Sequence, residues 1–330
     1  MDSKLLPLLG SEIALSLYPQ LIKLIPTTIE IQVAVRCITY SLLALIGYYI
    51  TIPNTIKTTT INTLDTINIF PLTSYIGMGL VNIIHIISSY ICFNTLSSGV
   101  GFTIFYLYPI FNLLGRTFIY NEKIKFINYI YIFMSILGVY LIYKHRNDPE
   151  TNLETNPEPK LETFTTGNEI LNTKNTTIGI LAGITSALTE SIIYFMVKTN
   201  PARVSPFIQL LKTYLLGCIL SIIYLIYNIT TTTNTNTNAN TNANTNGLLD
   251  LDYNYWITLI LFNAIAGFVG YLLRFIMIPR LSTLVFNSLI FTGVIFSYIW
   301  GYLLSNEPIN ASNISGTLLI VLSIFLINKK

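Results

Sequence analysis

Long apolar runs separated by polar segments dominate this chain. Each run has about the length that an α-helix needs to cross a lipid bilayer, at roughly 1.5 Å of rise per residue. The pattern predicts ten transmembrane helices, at about 5–24, 31–50, 71–93, 99–120, 126–143, 177–197, 206–227, 255–278, 281–304 and 312–326.

One stretch of this pattern occurs twice. The segment from Leu96 to Lys144 matches the segment from Leu281 to Lys329 without a gap, 185 positions later. Two unrelated apolar runs can look alike in composition, but they rarely share polar residues at the same offsets. The shared polar positions are Leu96-Ser97-Ser98 with Leu281-Ser282-Thr283, and Asn121-Glu122 with Asn306-Glu307.

The repeat extends to the preceding helices, because Lys23 corresponds to Lys198 and Arg36 corresponds to Lys212. Each copy then contains five helices. Since five is odd, consecutive copies must enter the membrane from opposite sides. The sequence therefore predicts an all-α integral membrane protein with ten transmembrane helices arranged as two inverted five-helix repeats. Such repeats place a solute site near the membrane midplane, between the halves.

Polar segments set the boundaries of the two halves. The first repeat is predicted to span residues 1–144, a polar linker residues 145–175, and the second repeat residues 176–330. Within the second repeat, the Thr/Asn-rich tract at 229–247 has almost nothing to bury and is predicted to be disordered.

Composition agrees with a membrane protein. The chain is 52% hydrophobic and only 10% charged, whereas a soluble domain carries about 25% charged residues. The net charge of +3 is too small to indicate a nucleic-acid surface. The three cysteines, Cys37, Cys92 and Cys218, lie in apolar runs and are interpreted as packing residues.

Basic residues in short loops predict the orientation in the membrane, because cytoplasmic loops carry an excess of Lys and Arg. Placing both termini in the cytoplasm collects most of these residues on that side. The linker at 145–175 argues the other way, but it is long and rich in acids, so it is discounted. The cytoplasmic residues would be Lys4, Lys57, Lys123, Lys125, Lys198, Arg203, Arg280, Lys329 and Lys330.

Several of these features resemble the EamA-like transporters of the drug/metabolite transporter superfamily. The resemblance rests on the small polar helix starts, Pro109 within a helix, the acidic turns and the basic Arg36. Two positions depart from the family pattern: Val294 stands where the first copy has Pro109, and asparagine replaces the glycine before each turn glutamate. A nucleotide-sugar signature of the type Gly-Ala-Leu-Asn-Lys is absent from the sequence.

The resemblance implies a secondary transporter that moves a small organic metabolite or drug-like solute by alternating access. Coupling to protons or to a second solute, and a homodimer, remain open. The alternative is a polytopic membrane scaffold or partner-binding protein that does not transport. The sequence contains no phosphate-binding Gly-rich loop, no His/Cys metal motif and no Ser/His/Asp grouping. An enzyme, a cofactor and a metal are therefore not predicted.

Charges within the predicted spans are candidate site residues, because each costs roughly 2.5–3.5 kcal/mol at mid-helix. Glu12 and Glu190 occupy matching first helices, about one turn out of register, and are predicted to line a shared path for a cation or proton. The alternative is that each forms a structural ion pair with Arg36 or Lys212.

Each of the remaining candidates has a functional and a structural interpretation. Arg36 and Lys212 either bind solute or extend to the membrane interface, and Arg274 either binds an anionic solute or extends to the cytoplasmic end of its helix. His85 either relays protons or is hydrogen-bonded within the bundle. Glu122 and Glu307 are interpreted as structural turn acids that cap the following helix.

Overall fold

A computed structural model describes residues 5–51, 72–121, 123, 125–146, 169–199, 205–235 and 252–328. Throughout these ranges the regular structure is helical. The helices of the first half are α1 (Leu6–Leu15), α2 (Tyr18–Leu24), α3 (Ile29–Thr51), α4 (Leu72–Thr95), α5 (Ser98–Phe105), α6 (Tyr108–Tyr120) and α7 (Phe126–Arg146).

The second half follows the same order with one additional irregularity, a π-helical segment. Its elements are α8 (Glu169–Lys198), α9 (Pro206–Thr235), α10 (Tyr253–Phe262), the π segment (Asn263–Phe268), α11 (Val269–Met277), α12 (Thr283–Leu289), α13 (Phe291–Ser305) and α14 (Ala311–Asn328).

Eight helical segments in the described part of the chain are long and apolar enough to cross a membrane. The two remaining predicted spans are shorter: 6–24 is divided into α1 and α2, and the apolar part of α14 covers Ala311–Leu326. Large apolar side chains point away from the bundle, as with Phe118 and Phe126 at 83% and 80% exposure, while many polar side chains are buried inside. An apolar exterior with a polar interior is the arrangement expected of a helical bundle in a lipid bilayer.

The linker boundaries differ from the prediction. Helix α8 begins at Glu169, inside the predicted linker, and α9 continues to Thr235, inside the predicted disordered tract. Helical hydrogen bonding can therefore extend several residues beyond the apolar run that locates a span. Residues 147–168 and 236–251 lie outside the described ranges.

Helix breaks occur where proline begins the next segment. Pro19 lies at the start of α2 and Pro109 at the start of α6, and a proline has no N–H to continue the preceding helix. In the second copy α12 and α13 separate at Ile290 without a proline. The break is therefore reproduced even though Val294 replaces the proline.

The two turn asparagines explain another departure from the family pattern. Asn121 and Asn306 both adopt the left-handed conformation, with φ of 52° and 50°. Asparagine is the residue after glycine that tolerates this conformation best. Asparagine can therefore occupy the position that glycine holds in the resembled family.

Helices of one half pack mainly against helices of the other. The principal pairs are α4 with α8, α1 with α11, α3 with α9, α5 with α13, and α7 with α14. At the α7–α14 crossing, a Cβ on Gly138 would lie 2.7 Å from the Gly316 carbonyl oxygen, so only glycine fits there. Ser135 and Ser323 hydrogen-bond each other close by.

Candidate functional site: a buried charge cluster between the halves

Arg274 lies at the centre of an ionic cluster. Its Nη1 is 2.8 Å from Glu190 Oε1, its Nε is 3.4 Å from Glu12 Oε1, and its Nη2 donates to the Tyr108 hydroxyl at 2.9 Å. The side chain is 1% exposed. The cluster joins α1 of the first half to α8 and α11 of the second. Glu12 and Glu190 thus share one partner.

This geometry corrects two alternatives from the sequence. The ion-pair partner of Glu12 and Glu190 is Arg274, rather than Arg36 or Lys212. Arg274 does not extend to the cytoplasmic end of its helix, because both carboxylates hold its guanidinium in the interior. Helical register could not predict this pairing, since it depends on how α1 packs against α11.

The break between α5 and α6 supplies the tyrosines of this cluster. Tyr106 follows the last residue of α5 and donates a hydrogen bond to Glu12 Oε2, and Tyr108 begins α6. Gly293 of α13 leaves room for this contact, because a Cβ there would lie 2.9 Å from the Tyr106 hydroxyl and 3.1 Å from Glu12 Oε2.

His85 connects the ionic cluster to its neighbours. Its Nε2 is 3.4 Å from Glu190 Oε2 and 3.3 Å from the Tyr271 hydroxyl, and its Nδ1 is 3.2 Å from the Ser186 carbonyl oxygen. The ring is buried. The donor and acceptor roles of the two ring nitrogens depend on the tautomer. In the tautomer that suits it, Nε2 can exchange a proton with Glu190 or with the Tyr271 hydroxyl.

Arg36 occupies a second buried site, which we call the tyrosine cage. Five tyrosine rings surround its guanidinium, with centroids 4.6–5.9 Å from Cζ, and Nη2 donates to one hydroxyl, that of Tyr214, at 3.1 Å. Arg36 is 3% exposed, so it does not reach the membrane interface. The cage consists of Tyr18, Tyr40, Tyr90, Tyr214 and Tyr271.

The tyrosine cage contains no acid. Among the described residues, no carboxylate lies within 4.0 Å of Arg36. Two of its tyrosines are fixed by their own network: the Tyr18 hydroxyl is 2.6 Å from that of Tyr40 and donates to Asn263 Oδ1 at 2.7 Å. Asn263 begins the π segment, and such segments are frequent at functional sites.

The two buried sites meet at a small cavity. It has a volume of about 20 Å³, which is room for about one water molecule, and it is lined by Arg36, His85, Tyr106, Tyr271 and Arg274 among others. Four buried charged atoms around this centre have no hydrogen-bond partner within the described residues. They are Glu12 Oε1, Glu190 Oε2, Arg36 Nε and Arg274 Nε.

A larger groove elsewhere is of a different kind. It has a volume of about 490 Å³ and lies between α6, α7 and α8, and no charged side chain of the described part of the chain lines it. Apolar grooves on the outside of a bundle suit lipid chains. The central cavity, although smaller, is where polar chemistry is concentrated.

Lys212 lies apart from both buried sites. Its Nζ donates to Ser74 Oγ at 3.2 Å and lies 4.9 Å from the Tyr75 ring centroid. The sequence repeat aligns Lys212 with Arg36, but the structure gives the two residues different surroundings.

Glu307 forms a further polar cluster at one end of the bundle. It accepts from the Ser98 backbone N–H at 2.7 Å and Oγ at 2.9 Å, and it pairs with Lys23 Nζ at 2.5 Å. The predicted role as a cap for the following helix is wrong, because Glu307 caps α5 of the other half. Glu122, its counterpart, lies outside the described residues.

Lys198, the counterpart of Lys23, makes a different contact at the end of α8. Its Nζ donates to the carbonyl oxygens of Ile278 and Leu281, at 2.9 and 2.7 Å. These two acceptors follow α11, where the helix leaves carbonyl groups unpaired. Lys23 therefore joins the two halves through Glu307, whereas Lys198 makes its contacts within the second half.

Sequence reasoning missed several residues of the centre. Four of the five cage tyrosines could not be distinguished, from the sequence alone, from tyrosines that lie at the membrane interface. Asparagines within apolar runs were a usable signal: Asn112 Nδ2 donates to Asn287 Oδ1 at 3.4 Å and Asn112 Oδ1 accepts from Ser191 at 2.7 Å, next to Glu190. Within the described part of the chain, no three His, Cys, Asp or Glu side chains converge as metal ligands would.

Comparison with known protein families gives a match over the second half of the chain. Residues 177–329 match the model of the EamA-like transporter family, which is part of the drug/metabolite transporter superfamily. A match to this family indicates a membrane transporter, with a small solute and a lipid bilayer as partners.

Structural similarity covers more of the chain than the family match. A solved structure titled only "Crystal structure of protein" is 11% identical, with a TM-score of 0.56, and the match covers 99% of this chain and 98% of that one. At this identity the likeness shows a shared fold. No curated protein matches the chain.

Proposed function

We propose that this protein is a secondary transporter that moves a small organic metabolite or drug-like solute by alternating access. The solute site lies at the midplane between two inverted five-helix halves of a ten-span bundle, and both termini are cytoplasmic. The observation that carries the proposal is the group of buried charged side chains between the halves, in which Glu12 and Glu190 share Arg274 and Arg36 lies in the adjacent cage. Charged side chains within membrane spans are costly, and they mark solute or ion pathways.

The pattern of helix packing supports the inverted repeat. Exchanging the halves converts the pair α1–α11 into α4–α8, and it leaves α3–α9 and α7–α14 unchanged. This is the pairing expected of two copies related by a two-fold axis. Broken helices at the centre also fit, because discontinuous helices form the solute sites of inverted-repeat transporters.

Alternating access requires the two ends of the bundle to open in turn. The Lys23–Glu307 pair with Ser98 joins the halves at one end, whereas Lys198 binds the carbonyl groups after α11 within the second half. The central cavity of about 20 Å³ is far below the roughly 300 Å³ of a small-molecule site. This conformation is therefore an occluded one, and solute enters when contacts between the halves, such as the Lys23–Glu307 pair, separate.

Glu12 and Glu190 are the proposed carriers of a coupled proton. They share Arg274, so when both are ionised the cluster has one negative charge in excess. One carboxylate can accept a proton while the other keeps the ion pair with Arg274. His85, which contacts Glu190 and Tyr271, provides a path for that proton.

Purified protein in proteoliposomes tests the proposal. We expect counterflow of radiolabelled solutes from a panel of organic acids, amino acids and nucleobases, with accumulation that responds to an imposed pH gradient. Glu12→Gln and Glu190→Gln should remove the response to the gradient, whereas Glu30→Gln, a change of an exposed acid at the start of α3, should not.

Two results would count against the proposal. Unchanged pH-driven accumulation in both variants would remove these carboxylates from the coupling mechanism. Correctly folded protein that exchanges no member of the panel would favour the alternative of a polytopic scaffold or partner-binding protein.

A further inference from the structure

We propose that the tyrosine cage around Arg36 is the subsite that binds the anionic group of the solute, and that the solute class is a small monoanion, a carboxylate on a flat apolar body. This inference rests on the proposed transport function for its biological role. The binding itself is a separate property that can be measured without transport.

The first argument is the balance of charge. A guanidinium remains protonated in proteins, so Arg36 carries its charge in the interior. Arg274 has two carboxylates within 3.4 Å, but Arg36 has none within 4.0 Å in the described part of the chain. An unpaired buried charge is unfavourable and marks a functional site in membrane proteins. An anion is the ligand that would correct this imbalance.

The second argument is the unused hydrogen-bonding capacity of the side chain. Arg36 donates to the Tyr214 hydroxyl, while its Nε has no hydrogen-bond partner among the described residues, and the cavity borders it. The planar fork of a guanidinium matches the two oxygens of a carboxylate. A carboxylate could therefore accept from Arg36 in the geometry that such pairs prefer.

The third argument concerns the rest of the solute. Beside Arg36, the cavity is bordered by Phe93, Phe102, Phe105, Tyr106 and Tyr271. Aromatic rings at these positions favour a flat apolar body by stacking or edge contacts. The single cation without a carboxylate indicates a monoanion, because the other arginine of the cavity lining, Arg274, is already paired with two carboxylates.

Calorimetric titration of the full-length protein in lipid nanodiscs tests the inference. The probes are benzoate, its neutral analogue benzamide and the cation benzylamine. We expect benzoate to bind with a millimolar or tighter Kd, and the other two to bind at least tenfold more weakly. Arg36→Gln should weaken benzoate binding at least tenfold, and Arg36→Lys should weaken it to a smaller extent.

The matched control is Arg280→Gln, which removes an exposed arginine just beyond α11 and should leave the benzoate Kd unchanged. If Arg36→Gln does not fold, Tyr214→Phe keeps the charge while removing the hydroxyl that accepts from Arg36 at 3.1 Å, and it should change the benzoate Kd about two- to fivefold. Equal affinities for benzoate and benzamide, no benzoate binding by the wild type, or unchanged binding in the Arg36 variants would overturn the inference.

The two proposals can fail separately. Arg36-dependent benzoate binding without any counterflow in proteoliposomes would retain the anion subsite and remove the transport function. Counterflow of neutral or cationic solutes that is unaffected by Arg36→Gln would retain transport and remove the anion subsite.

Discussion

Two arginines lie buried in the same bundle, and their surroundings differ. Arg274 contacts two carboxylates and a tyrosine hydroxyl, whereas Arg36 has five tyrosine rings and one hydroxyl. The first site has more negative charge than its arginine neutralises, and the second has a positive charge without a carboxylate. The difference distinguishes a group that holds the halves together from the group that is proposed to bind the anionic end of the solute.

The largest expected effect is the loss of Arg274. Arg274→Gln leaves Glu12 and Glu190 buried without their guanidinium, and breaking a buried pair costs about 3–5 kcal/mol. Arg36→Gln leaves no buried carboxylate behind and should cost well under half as much. Chemical unfolding in mixed micelles measures both. Adding Glu190→Gln to Arg274→Gln should recover part of the loss, and equal losses for the two arginine variants would contradict the comparison.

Steric change at the tyrosine cage should have the next largest effect. A Cβ on Gly267 would lie 2.2 Å from the Tyr18 hydroxyl and 2.3 Å from that of Tyr40, so Gly267→Ala must displace both rings. Overpacking of this kind costs about 1–3 kcal/mol. Gly77→Ala, where nothing lies within 4 Å, is the matched control and should be neutral or stabilising. Similar unfolding free energies for the two variants would show that the cage is not tightly packed.

A smaller effect is expected at the Lys23–Glu307 cluster, which is partly exposed. Glu307→Gln weakens the ion pair and the cap on α5, at a cost of about 1 kcal/mol. Hydrogen exchange of the first amides of α5, from Ser98, should quicken, while the amides around Arg274 should not change. Glu30→Gln, at an exposed acid, serves as the control. Slow exchange at Ser98 in the Glu307 variant would show that the cap is unimportant.

The smallest expected effect is a difference between two variants, each of which removes one tyrosine hydroxyl from an arginine. Tyr214→Phe removes the hydrogen bond that Arg36 donates to the Tyr214 hydroxyl and should cost about 1.5 kcal/mol or more, as bonds to charged groups do. Tyr108→Phe removes a bond from Arg274, which keeps both carboxylates, and should cost less. Unfolding free energies of the two variants decide the order, and a larger loss for Tyr108→Phe would reverse it.

The apolar pattern of the sequence was sufficient for the class of fold. Apolar runs located the helices, and Glu12, Glu190, Arg36, Arg274 and His85 were recognised as unusual because buried charge is unfavourable in lipid. All five line the two central sites or connect them. Whether they act in transport stays a prediction.

The pairing within the centre could not be predicted from the pattern. Helical register places residues on a face, but Glu12 meets Arg274 only because α1 packs against α11 of the other half. Helix breaks matter as well, since Tyr106 and Tyr108 approach Arg274 where α5 ends and α6 begins. Contacts between distant parts of the chain depend on three-dimensional packing, which a one-dimensional repeat does not specify.

The close contact of Gly138 with Gly316 has a consequence for motion. There the backbones of α7 and α14 touch without side chains between them. If one half tilts as a rigid body about this crossing, its atoms move least near the crossing, which then acts as a fulcrum. Contacts between the halves would change little here and most at the ends of the bundle. A bulky residue at either glycine would wedge the helices apart and shift that fulcrum.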